Sequence, residues 1–97
     1  MGIAAAILKG DKAQVRAARD IRTRILEGLR LQAERMHEVY RDEPSNAALF
    51  DEQFKRYFVV PVATNESARW FIDHAYLADM RGNNLVAALH TALVKDS

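Results

Sequence analysis

Residues 12–42 read KAQVRAARDIRTRILEGLRLQAERMHEVYRD. Within this stretch Val15, Ala18, Ile25, Leu26, Leu29, Ala33, Met36 and Tyr40 recur at helical intervals. At about 100° per residue they fall on one stripe, which predicts an amphipathic helix. Asp11 stands at the N-cap position with Gln14 three residues on, the spacing of a capping box. Opposite charges lie four apart in Arg16–Asp20, Asp20–Arg24 and Arg30–Glu34, and each such pair adds a few tenths of a kcal/mol. Gly28 interrupts the run, costs about 1 kcal/mol against alanine, and marks either a bend or a close helix crossing. At 1.5 Å per residue an unbroken helix here is about 46 Å long. A compact globule of this size is roughly 30–35 Å across. Either the helix bends at Gly28 or a second subunit covers the overhang, and the unbroken apolar stripe favours a homodimer built on this helix.

Downstream of Asp42, punctuation divides the rest. Pro44 pushes Glu43 out of the helical region. Ser45 or Asn46 then caps a second helix, Ala47 to Phe58, with Phe50, Phe54, Tyr57 and Phe58 on its apolar side. Val59-Val60-Pro61-Val62 reads as a short extended segment, since Pro61 removes a ladder donor and disfavours a central strand. Thr64 or Asn65 caps a third helix from Glu66 to about Arg81. Ala68, Trp70, Phe71, Ile72, Ala75, Leu77 and Ala78 make it apolar over more than half its circumference, so it is expected at the centre. Gly82 ends it as a C′ residue. Asn83 or Asn84 caps the last helix, with Leu85, Val86, Leu89 and Leu93 facing inward.

The expected fold is therefore all-α. A short apolar segment (1–10) precedes the long helix (11–42), and a three-helix part (45–95) completes one small bundle. Ninety-seven residues make a single domain over 1–97, because two cores of that size would bury too little surface. A hydrophobic fraction of 49% with 28% charged residues excludes low-complexity disorder as the main state. The chain has no cysteine, which removes disulfides, thiolate zinc sites and thiol chemistry, and fits a cytoplasmic location. Gly2 to Leu8 is apolar but too short for a membrane span of about 20 residues. It also lacks the basic flank and processing site of a signal peptide, so no membrane partner is expected.

Charge is unevenly spread behind a net value of +1. Residues 9–35 carry eight Lys/Arg against four Asp/Glu, and residues 36–54 carry one against five. Such a chain can pair head to tail with itself or dock on a partner by either end. Ten of the fourteen basic residues are arginine, a residue suited to bidentate contact with carboxylate or phosphate.

Several positions are candidates for contact. Arg22 lies in the middle of the first helix's apolar stripe, where an unpaired guanidinium would be costly. Three resolutions are open: snorkelling outward on its stem, pairing with Asp51, Asp73 or Asp79, or meeting a partner. Met36, His37 and Tyr40 continue the same stripe. Trp70, His74 and Arg81 form an aromatic–cationic strip on the third helix, a composition found at binding hot spots. The competing expectation for Trp70 is a core anchor with a histidine beside it. Glu34 and His37 have the Glu-x-x-His spacing of carboxylate-bridged di-metal helices, but one copy is half of what such a site requires, so no metal or other cofactor is expected.

No histidine sits in a triad pattern, and there is no glycine-rich phosphate loop. The last two helices outline a helix-turn-helix, but Leu85 to Val94 contains no charged residue and offers little for base or phosphate readout. The order from Tyr57 to Lys95 resembles ribbon-helix-helix repressors, from which Pro61 and the short turn depart. The reading that follows is a non-enzymatic protein–protein interaction module, a self-associating adaptor, accessory subunit or inhibitor. Its partners are a second copy and an unidentified protein. The alternative is a small DNA- or RNA-binding regulator that uses Lys12, Arg16, Arg19, Arg24 and Arg30 of the first helix.

Overall fold

Helix α1 spans Lys12–Val39 without a break. Its start is fixed locally, as the capping box predicts. Asp11 Oδ1 accepts from the Gln14 amide at 2.8 Å, and the Asp11 amide donates to Gln14 Oε1 at 3.2 Å. The computed structural model describes residues 5–95. The first residues of the apolar N-terminal stretch and the last two of the C-terminal tail lie outside this range. Twenty-eight residues of α1 are about 42 Å long, and they set the long axis of a 47 × 25 × 22 Å molecule.

Gly28 marks a close crossing rather than a bend. A Cβ built on it would stand 2.7 Å from Leu85 Cδ2 and 3.1 Å from Arg81 Nη1, so the absent side chain is what lets α5 (Gly82–Lys95) pack against α1. The overhang of α1 is partly covered from within the chain. Helix α2 (Pro44–Phe54) turns back along it, with Tyr40 and Phe50 rings 5.9 Å apart and His37 bonded to Asp51.

Residues 59–62 are helical, not extended. The chain passes from α2 through a π-helical turn, Lys55–Val59, directly into α3, Val60–Ala63. The Val60 amide donates to Lys55 O, five residues back. Pro61 sits in the first turn of α3, where a missing N–H is tolerated, and the widened turn before it absorbs the mismatch. Local β-branched composition predicted an extended segment; Val62, fully buried in the core, pays for the helix instead. With no ribbon at these residues, the ribbon-helix-helix outline falls away.

The third predicted helix is two pieces. Helix α4 covers Ala68–Asp73 and is capped by Ser67, whose Oγ accepts from the Trp70 amide at 3.1 Å. The expected caps lie just upstream, and Asn65 Oδ1 instead accepts from the Ser67 amide at 2.9 Å. His74 then leaves helical geometry at φ −115°, ψ 29°, and a 3-10 turn, Ala75–Asp79, follows. Gly82, at φ 66°, adopts the left-handed conformation that favours glycine and opens α5.

The core lies where these elements meet α1. Ile25 and Leu29 of α1, Val62, Phe71, Leu77, Leu85 and Leu89 are the largest fully buried side chains. Phe50, Phe54 and Phe58 stack successively at 5.1 and 5.4 Å along the second helical arm. Among the described residues no helix is long and apolar enough to cross a membrane.

Candidate functional site

The N-terminal strap explains Arg22. Residues 5–9 run extended against the loop between α3 and α4. The Ala6 amide donates to Ala63 O at 2.8 Å, the Lys9 amide to Glu66 O at 2.7 Å, and the Ala68 amide to Lys9 O at 3.2 Å. Leu8 is buried beneath the strap while Ile7 faces outward. Arg22, only 8% exposed, donates from Nη1 to the Ala6 carbonyl at 2.6 Å. Burial, and then the neighbouring Arg19 cation, hold its pKa below the ordinary arginine value.

None of the three carboxylates expected for Arg22 meets it. Asp51 is taken by His37, Asp73 by Arg69 at 3.0 Å, and Asp79 by Arg24. The backbone carbonyl that holds Arg22 belongs to a segment without periodicity, so pairing arithmetic on side chains could not find it.

The other interaction candidates are dispersed. Met36 and Tyr40 are half-buried. Trp70 is not the interior anchor expected of it. It is half-buried against the core, stacked on His74 at 4.3 Å and set edge-on to Phe71 at 5.1 Å. Phe71 is the fully buried ring of α4. His74 Nδ1 lies 2.7 Å from Trp70 O; a carbonyl only accepts, so Nδ1 carries the proton. Tyr76 continues the aromatic patch, 6.0 Å from His74. Arg81 leaves it, donating to Ala78 O at 3.0 Å and Met80 O at 2.7 Å over Gly28.

Glu34 and His37 do not converge, since Glu34 binds Arg30 and His37 binds Asp51. Among the described residues no three His, Asp or Glu side chains are grouped for a metal ion.

The basic candidates divide cleanly. Arg24 pairs with Asp79, and Arg30 with both Glu27 and Glu34. Arg30 draws the Glu27 carboxyl below its usual range and is itself raised. Of the three i,i+4 pairs expected on α1, only Arg30–Glu34 forms, and Asp20 takes neither Arg16 nor Arg24. Lys12, Arg16 and Arg19 are exposed, and among the described residues no carboxylate pairs with them. They line two shallow clefts along the first turns of α1, beside Ala13, Ala17, Gly10 and Val15.

One surface feature had no signal in the sequence. Tyr57, Phe58, Pro61, His90, Leu93 and Val94 line an open apolar groove of about 570 Å³, with Arg56 at its rim. It forms where the π-helical turn meets the C-terminal half of α5. Tyr57 and Val94 stand out from it at 59% and 58% exposure. Comparison of the chain with protein-family models, curated proteins and solved structures finds no match.

Proposed function

We propose that this protein is a non-enzymatic contact module that pairs with a second copy of itself through the groove between the π-helical turn and α5. The observation that carries the reading is the groove's composition. One surface holds both apolar projections, Tyr57 and Val94, and an apolar recess floored by Phe58, Pro61 and Leu93. A two-fold interface requires self-complementarity of this kind, because the same patch must act as knob and as hole. Contiguous exposed apolar surface with a polar rim is the usual mark of a protein contact, and an exposed tyrosine on it suits a hot spot. A chain without cysteine suits a reducing compartment, and we place the protein in the cytoplasm.

Sedimentation equilibrium at micromolar concentration tests the reading. The wild type should show about twice the 11.0 kDa chain mass. Tyr57→Glu with Val94→Glu should return it to one chain mass with helical content unchanged, since both side chains are exposed and substitutions at such positions unfold little. A wild-type monomer throughout this range overturns the proposal, as does a dimer that survives the double variant.

A further inference from the structure

We propose that the stripe Lys12–Arg16–Arg19 on the first half of α1 is a docking surface for the phosphate backbone of duplex DNA. The three cations follow one another at i, i+4 and i+7, which puts them on one face of the helix. They are exposed and take no carboxylate among the described residues, whereas Arg24 and Arg30 of the same helix are each neutralised. Asp20, beside Arg19, is the one carboxylate on α1 close to the stripe, and it pairs with neither Arg16 nor Arg24. Arg22 lies one turn beyond, buried on a backbone carbonyl, so it adds a cation to this end of the molecule and no anion.

Shape selects the partner. Ala13 and Ala17 line a shallow cleft with Lys12 and Arg16, and Gly10 and a half-buried Val15 line a second with Lys12, Arg16 and Arg19. A protein partner needs a large apolar or aromatic anchor at the centre of its contact, and this face offers none. A polyanion needs cations at regular spacing and close approach, which small side chains permit. From Lys12 to Arg19 the helix rises about 10.5 Å. Phosphates of one duplex strand recur every ~3.4 Å of axis, so the stripe faces about three of them. The surface is separate from the apolar groove, and neither proposal depends on the other.

Fluorescence anisotropy with a labelled mixed-sequence DNA duplex reads the interaction. Three phosphate contacts give a slope of about −2.7 in log K against log salt, so affinity should fall roughly 40-fold between 50 and 200 mM salt. Arg16→Gln alone should flatten the slope by about one unit. The triple variant Lys12→Gln/Arg16→Gln/Arg19→Gln should abolish binding and keep the wild-type melting curve, because none of the three is in an ion pair with a described residue. Arg24→Gln/Arg30→Gln should bind as the wild type does. Poly-glutamate and long-chain polyphosphate are titrated in parallel. No binding of the duplex at 50 mM salt overturns the proposal. So does an equal loss in the Arg24/Arg30 variant, or tighter binding of either competitor than of the duplex.

Discussion

Replacing Gly28 with alanine sets two effects against each other, and the structure decides the winner. Alanine in a helix interior is favoured over glycine by about 1 kcal/mol, so on α1 alone the substitution stabilises. The new Cβ would stand 2.7 Å from Leu85 Cδ2, a separation that real Cβ contacts do not show. Leu85 is fully buried at the α1–α5 crossing and has nowhere to retreat, while the Arg81 guanidinium at 3.1 Å can swing aside. Overpacking of a filled core costs about 1–3 kcal/mol, and a clash with an immobile methyl belongs at the upper end. The net expectation is a loss of about 1–2 kcal/mol, or a melting temperature lower by about 5–15 °C for a domain this size. The companion experiment repeats the change in a Leu85→Ala background, itself weaker by about 2–5 kcal/mol. With the methyl gone, Gly28→Ala should become stabilising by up to about 1 kcal/mol. Urea unfolding of the four proteins measures this cycle. A stabilising Gly28→Ala in the wild type, or the same loss in both backgrounds, would refute the close-crossing argument.

Other outcomes follow from the strap and the aromatic patch. Arg22→Met keeps the aliphatic stem but strips the Ala6 carbonyl of its donor. It should cost about 1–3 kcal/mol, and amide exchange at Ala6 and Lys9 should accelerate well before exchange in the middle of α1; unchanged strap protection contradicts the anchoring role. Phe71→Ala should cost about 3–5 kcal/mol, and Trp70→Ala clearly less, because Phe71 is fully buried and Trp70 only half; paired thermal melts give the ranking, and the reverse order would place Trp70 in the core after all. Lys9 is raised above the ordinary lysine value by its bond to Glu66, so its contribution is present below that value and lost as pH rises through the folded one. Lys9→Gln should therefore be slightly less stable than wild type at pH 7 and equal to it in strong alkali; a difference that persists there contradicts the pairing.

How far the sequence carried depends on how local each cause is. Helix α1 was legible from its period and from Asp11–Gln14, because an amphipathic stripe and a capping box act within a few residues. The π-helical turn was not, because Val59-Val60-Pro61-Val62 has the composition of extended chain. Burial of Val62 and the packing of Phe54 and Phe58 hold it helical against that preference. The break at His74 has no glycine or proline to announce it. There the Trp70 carbonyl accepts both the His74 amide and the His74 ring, a competition visible only in three dimensions. Gly28 stood out as a weak point in the helix, but choosing a crossing over a bend required knowing that Leu85 lies against it. For the surfaces, residue type alone named Lys12, Arg16, Arg19, Arg24 and Arg30 together. Asp79, remote in sequence, and Glu27 remove two of them.

The strap also orders events during synthesis. Lys9 lies beside Ser67 in a parallel bridge, so residues 5–9 have no seat until the segment near residue 67 has left the ribosome. At about 5–20 residues per second, that interval lasts roughly 3–12 s. For about the second half of it α1 has emerged complete, but the Arg22 guanidinium still has water where the Ala6 carbonyl will be. The early chain thus carries an open cation that the finished protein conceals under its own N-terminal strap.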